Sequence, residues 1–126
     1  MVTLSIITIN YNNKKGLLKT IDSIKEQSFT DFEWIIIDGG STDGSVEIIR
    51  ENESRIAYWI SEHDKGVYDA MNKGIRVASG DLIGIVNSDD YYEIDALENV
   101  SRAYDGKKYE IVYGMLRTIK DGKEVT

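Results

Sequence analysis

Residues 2–13 read Val-Thr-Leu-Ser-Ile-Ile-Thr-Ile-Asn-Tyr-Asn-Asn. The run from Val2 to Asn10 is apolar and β-branched without strict alternation, the pattern of a strand buried on both faces. Such strands belong to parallel sheets, whose members are joined by long crossovers, usually helical. Reading outward, the chain supplies them. Asn12 or Asn13 can cap a helix on whose face Leu17, Leu18, Ile21 and Ile24 fall. Phe32 to Asp38 (FEWIIID) is a second strand, ended by Gly39-Gly40. Ser41 is placed to cap a helix carrying Val46 and Ile49. Ile56 to Ile60 is a third strand, and Val67, Met71, Ile75 and Ala78 then recur at helical spacing. Leu82 to Val86 is a fourth strand, followed by a helix marked by Ile94, Leu97, Val100 and Tyr104. Ile111 to Tyr113 starts a fifth strand, and Leu116 to Ile119 enters a turn at Asp121-Gly122. Trp34 and Trp59, inside apolar strands, are expected in the core. This alternation predicts an α/β fold: a doubly wound, mostly parallel sheet with helices on both faces.

At 126 residues the chain is one domain long, and a hydrophobic fraction of 41% suffices for a core. Fifteen Lys and Arg against 22 Asp and Glu leave a net charge of −7, which repels phosphate backbones and argues against a nucleic-acid partner. The same balance suits a site that gathers carboxylates around a divalent cation. The absence of Cys excludes disulfides, zinc–thiolate sites and cysteine nucleophiles. The single His63 cannot make a multi-histidine metal site. No apolar run approaches the ~18 residues of a membrane span. No basic stretch precedes the first apolar run, so no signal peptide is expected and a cytoplasmic location is. Any place at the inner face of a membrane would come through other parts or partners.

In doubly wound sheets ligands bind outside the carboxyl ends of the strands, and the unusual residues fall there. Strand one ends in Asn10-Tyr11-Asn12-Asn13. Strand two ends in Asp38-Gly39-Gly40-Ser41-Thr42-Asp43-Gly44. Strand three ends in Ser61-Glu62-His63-Asp64-Lys65-Gly66, and strand four in Asn87-Ser88-Asp89-Asp90. Gly39-Gly40 lets backbone approach a ligand closely or adopt positive φ, although a tight turn with a Ser cap explains the same residues. The pattern is neither G-x-G-x-x-G nor a P-loop. Asp38, at the strand's last position, can accept from a base or ribose. Asp89 and Asp90 repel each other and are best tolerated beside a cation. Mg²⁺ and Mn²⁺ often take one or two carboxylates plus substrate phosphates. The plainer alternative is an Asx-rich turn capping the next helix. Asp69, Asn72 and Lys73 lie within about one helical turn, where Lys73 can meet a diphosphate or lie on a solvated face. Lys14, Lys15 and His63 read as surface residues.

Four stretches carry a resemblance: SIITINYNN (5–13), DFEWIIIDGGSTDGS (31–45), ISEHDKGVYDAMNKGIRVASGD (60–81) and IGIVNSDD (83–90). In this order and spacing the chain resembles the inverting family 2 glycosyltransferases of GT-A fold, over residues 3–126. The third and fourth stretches are similar to bacterial enzymes that build surface polysaccharides. The resemblance implies a nucleotide-sugar donor, usually a UDP-sugar, bound with Mn²⁺ or Mg²⁺, and a glycan or lipid-linked acceptor. It assigns Tyr11, with the backbone at Ile9, to packing on uracil, and Asp38 to accepting from the base. Asn87 and Asp89 stand at the first and third positions of the D-x-D motif, the first toward ribose and the third toward the metal. Asp90 assists the metal or the donor sugar, and Asn72 and Lys73 approach the nucleotide.

The chain departs from the pattern at Ile9, in place of the usual Pro, at Gly39, in place of the second Asp of D-D-G-S, and at Asn87. The resemblance also implies an acceptor half and a catalytic base, which are expected beyond Thr126. Glu110, Asp121 and Glu124 are poor substitutes. Residues 1–126 are therefore expected to be the donor-binding part of a longer enzyme; alone, they are expected to transfer no sugar and to self-associate through their C-terminal strands. Two rivals stand beside this reading: a nucleotide-sugar-binding module without transfer activity, and a metal-dependent phosphoryl receiver, which the Tyr11, Asp38 and Asp89 set fits poorly.

Overall fold

A computed structural model describes residues 3–103, with the backbone of 118–120 and 123–125. Four strands, β1 (Leu4–Asn10), β2 (Phe32–Asp38), β3 (Tyr58–Ser61) and β4 (Leu82–Asn87), pair in the order β3-β2-β1-β4, every pairing parallel. Helices α1 (Lys14–Lys25), α2 (Ser45–Glu51) and α3 (Val67–Val77) lie in the crossovers. A 3-10 turn at Glu53–Arg55 precedes β3, and α4 (Ala96–Ala103) follows β4. The α/β architecture is the expected one. β5 (Thr118–Lys120) and β6 (Lys123–Val125) pair antiparallel, and the turn expected at Asp121-Gly122 lies outside the described residues. Tyr104, Ile111 to Tyr113 and Leu116 lie outside the described residues, so the fifth parallel strand does too.

All seven residues of β1 are buried, because the strand is flanked by β2 and β4 and covered above and below. Leu4, Ile6, Trp34, Ile36 and Val86 face one way. They meet Leu17, Ile21 and Ile24 of α1, Ile48 and Ile49 of α2, and Leu97 of α4. Ile7, Ile9, Ile35 and Ile37 face the other way and meet Ala70 of α3. Successive side chains of a strand point to opposite faces, so two covered faces account for apolar residues at adjacent positions, as at Ile6-Ile7 and Ile35-Ile36-Ile37. Each fully buried Ile stabilises the fold by about 1.5–3 kcal/mol.

Small residues seat α3. A Cβ on Gly74 would meet Ile7 Cγ2 at 2.6 Å, so any side chain there would lift the helix off β1. This contact explains a departure from the sequence reading: Val67 and Ile75 are exposed, and Ala70 and Gly74 take the buried face instead. Leu18 and Ile94 are likewise exposed, and Ile94 precedes α4 rather than joining it. Trp34 is buried and donates to Thr8 Oγ1 at 3.2 Å, whereas Trp59 is half-buried and donates to Glu53 at 3.0 Å.

The helix caps differ as well. Asn13 caps α1 by accepting from the Gly16 N–H at 3.1 Å. Ser41 does not cap α2. The helix starts at Ser45 after Gly44, which sits at φ 100°, and Asp43 accepts from the Ser45 N–H at 3.1 Å and hydroxyl at 2.6 Å.

Candidate functional site

The strand order reverses between β1 and β4, which marks the edge beyond their carboxyl ends as the place for a ligand. Register brings the four loops to one level. Asn10 pairs with Asp38, Asp38 with Ser61, and Ile9 with Asn87. Asn10, Asp38 and Ser61 therefore share one face of the sheet, and Asn87 lies with Ile9 on the other.

Asp38 organises the first three loops. It has no exposed surface. Its Oδ1 accepts from Asn10 Nδ2 at 2.9 Å and Ser41 Oγ at 2.7 Å. Its Oδ2 accepts from the N–H groups of Gly40 at 3.1 Å and Ser41 at 2.8 Å, and from Ser61 Oγ at 2.7 Å. Burial alone would raise its pKa. The Ser41 N–H and hydroxyl, the Asn10 amide and the Ser61 hydroxyl outweigh it, and the carboxyl is held below its usual range. A carboxylate offers about four lone-pair sites, and here all are used. Asp38 therefore offers no free acceptor to the base it was expected to meet; it ties β1, β2 and β3 together. Asn12 adds to the tie: its N–H donates to Ser41 Oγ and its Oδ1 accepts from the Thr42 N–H, both at 2.8 Å.

Tyr11 stands at the surface of this frame, 64% exposed. The Ile9 carbonyl beneath it accepts from the Ser88 N–H at 2.9 Å. Gly39 lies against the Tyr11 ring and against Asp64, a loop residue to which the sequence reading gave no role. A Cβ on Gly39 would fall 3.1 Å from Tyr11 Cδ1 and 2.9 Å from Asp64 Oδ2. No local signal marks Asp64, because its place depends on what residue 39 lacks.

The loop after β4 is a tight turn. Asp89 has φ 80°, uncommon for a residue with a side chain, and its N–H donates to the Gly16 carbonyl at 3.0 Å. The Thr20 hydroxyl, also not anticipated, donates to the carbonyls of Asp90 at 2.6 Å and Asn87 at 3.3 Å. Asp89 and Asp90 are both exposed. Lys19 of α1 reaches Asp89 at 3.4 Å. Two amide oxygens near this edge, Asn10 Oδ1 and Asn87 Oδ1, are buried without a partner.

Lys73 is less free than expected. Its ammonium lies 3.1 Å from Glu62, 4.0 Å from Asp69 and 3.2 Å from the His63 carbonyl. Asn72 is exposed on α3. Asp69 caps the preceding loop by accepting from the Lys65 N–H at 2.9 Å. A shallow cleft of about 550 Å³ opens beside α2, lined by Lys14, Thr42, Glu47 and Arg50 among others. None of Tyr11, Asp64, Asn87 or Asp89 lines it, so the cleft is not the strand-end site.

Residues 5–125 match the model of glycosyl transferase family 2. The chain belongs to that family. An uncharacterized glycosyltransferase of Mycobacterium tuberculosis is 43% identical over 107 residues, covering 83% of this chain and 41% of that protein. The chondroitin synthase of Escherichia coli is 38% identical over 97 residues, covering 75% of this chain and 14% of the synthase. Staphylococcus aureus TarS, solved with UDP-GlcNAc, superposes with a TM-score of 0.72 at 25% identity, over 79% of this chain and 30% of that one. The Pyrobaculum calidifontis mannosyltransferase PcManGT, solved with GDP-Man and Mn²⁺, gives 0.64 at 26% identity, over 71% and 28%. The chain thus spans about 41% of the length of the mycobacterial relative.

Among the described residues no three acidic or histidine side chains gather into a metal site. Asp89 and Asp90 are exposed carboxylates on a tight, hydrogen-bonded turn, which suits an ion that takes its remaining ligands from a diphosphate and water. No helix of the described residues is long and apolar enough to cross a membrane.

Proposed function

We propose that residues 1–126 form the nucleotide-sugar-binding part of a metal-dependent, inverting glycosyltransferase that takes a UDP-sugar donor and a hydroxyl acceptor in bacterial polysaccharide synthesis. One observation carries the reading: the Asp38 network locks three strand-end loops, and Tyr11 and the Asn87–Asp90 turn stand at the same edge where the strand order reverses. Family membership and the nucleotide-sugar complexes of TarS and PcManGT support it.

In this reading each residue has a physical task. The exposed Tyr11 ring gives the base an apolar face to stack on. Asp38 holds the loops in place before the donor arrives, so little ordering remains to be done on binding. Asn87 contributes its amide toward the ribose. Asp89, with Asp90, would hold Mn²⁺ or Mg²⁺, which supplies neutralising charge to the departing diphosphate. Lys19, beside Asp89, adds positive charge to the same edge. Inversion follows from one direct displacement at the sugar's anomeric carbon, with a base in the acceptor-binding part taking the hydroxyl proton.

The test is calorimetric titration of the chain with UDP, with Mn²⁺ and then with EDTA. We expect saturable binding that weakens at least tenfold on chelation. The absence of binding by every nucleoside diphosphate with metal would remove the donor-site reading.

A further inference from the structure

We infer that Asp64 is the residue that reads the base of the donor, by accepting its imino N–H, and that Gly39 is a glycine because Asp64 occupies the space a side chain there would need. The inference rests on the donor-site reading above and goes further, since it names a specificity residue and a base class.

Three observations converge. First, Asp38 cannot fill this role, since five donors already saturate its carboxylate and none of its surface is open. Second, Asp64 is held in position and still has capacity. Its Oδ1 accepts from the Gly66 N–H at 3.0 Å, which fixes the side chain. Its Oδ2 has no hydrogen-bond partner among the described residues, although Asp64 is half-buried. Third, that free oxygen and the Tyr11 ring both flank Gly39. The point where a Cβ on Gly39 would sit is 2.9 Å from Asp64 Oδ2 and 3.1 Å from the Tyr11 ring. Residue 39 thus separates a stacking surface from an unused acceptor, and a side chain there would displace Asp64, Tyr11 or both from these positions.

The chemistry selects the ligand. A carboxylate accepts and cannot donate. A base stacked on Tyr11 would turn an edge toward Asp64. Uracil has an imino N–H in the middle of that edge, at N3, and guanine has one at N1. Cytosine and unmodified adenine have a bare acceptor nitrogen at the corresponding place, which would face the carboxylate lone pair to lone pair with no hydrogen between them. Asp64 therefore favours keto bases, uracil first, because a single ring needs the least room beside Gly39.

The experiment uses two nucleotides and the whole chain. UDP and 3-methyl-UDP, which lacks the imino hydrogen, are titrated by calorimetry with Mn²⁺ into wild type and Asp64→Asn. Asn keeps the oxygen that accepts from Gly66, so the loop is retained, and a melting curve checks the fold. Hydrogen bonds to charged groups are worth enough to predict that wild type binds UDP roughly tenfold or more tightly than 3-methyl-UDP. Asp64→Asn should lose that preference by weakening UDP alone. If UDP binds but the methyl group makes no difference to wild type, the Asp64 inference is overturned and the donor site stands. If Asp64→Asn keeps the full preference, the imino contact belongs to another residue and the inference is again overturned. If neither nucleotide binds wild type, the donor-site reading falls and takes this one with it. The wild-type comparison needs no variant, so misfolding of Asp64→Asn cannot shelter the idea.

Discussion

The Lys19 ammonium stands 3.4 Å from the Asp89 carboxylate, so a side chain of α1 crosses to the turn after β4. Both groups are largely exposed, and exposed pairs contribute about 0–1 kcal/mol. The pair is therefore easily parted by a competing cation or diphosphate. Lys19→Ala should change stability by no more than about 0.5 kcal/mol, as read from urea unfolding. A larger loss would mean that Lys19 supports the turn itself.

Asp89 combines a positive φ with a charge, and two substitutions separate these properties. Asp89→Gly should raise stability slightly, because glycine adopts φ 80° freely and strain of about 1 kcal/mol is relieved. Asp89→Asn should leave the melting temperature nearly unchanged. In the donor-site reading both should lower Mn²⁺-dependent affinity for UDP at least tenfold. Unchanged affinity in calorimetry would make Asp89 a turn residue only.

Tyr11→Ala should cost little stability, since the ring is 64% exposed, yet reduce UDP affinity roughly tenfold through lost stacking. Tyr11→Phe should restore it. Equal affinities of the three proteins in the same titration would contradict stacking on this ring.

Asp38→Ala should destabilise by about 3 kcal/mol or more, because several donors lose a buried acceptor. Its pH dependence has a fixed sign. The folded carboxyl titrates below its usual range, so its contribution is complete above the unfolded value near pH 3.9 and is lost as pH falls through the folded value. Wild type should lose stability below about pH 4 more steeply than Asp38→Asn. Parallel acid limbs in denaturation curves would show that the network does not hold Asp38 ionised.

Gly74→Ala should destabilise by about 1–3 kcal/mol, despite the better helix propensity of Ala, because its methyl would overlap Ile7 at 2.6 Å. A stabilised variant in urea unfolding would mean that α3 moves off β1 without cost.

What could be read in advance follows from how local each signal is. Residues 4–10 and 32–38 announce themselves because two-faced burial places apolar, β-branched residues at adjacent positions. The strand-end positions of Asn10, Asp38 and Asn87 follow from where those runs stop. Ser41 looked like a cap because caps are judged from neighbours in the chain, whereas its hydroxyl is taken by Asp38. Lys73 looked free because the Glu62 that holds it belongs to the preceding loop. Asp64 escaped notice because its surroundings are made by a missing side chain on another strand's loop. Lys19 and Thr20 became site neighbours only through the docking of α1 beside the turn after β4.

The sheet order also bears on how the molecule comes into being. β1 is made first, yet one of its two hydrogen-bonding sides is matched only by residues 82–87. During synthesis a nascent chain already holding β1, β2 and β3 would carry an open, strongly apolar strand flank until β4 leaves the ribosome. Such a flank is sticky toward any other extended chain. The half of the strand-end site with Tyr11, Asp38 and Asp64 can be assembled during that interval, while the acidic turn after β4 arrives last. Nucleotide present at that stage would meet the base-reading half alone, and chaperone capture of stalled chains should fall sharply once residue 87 has emerged.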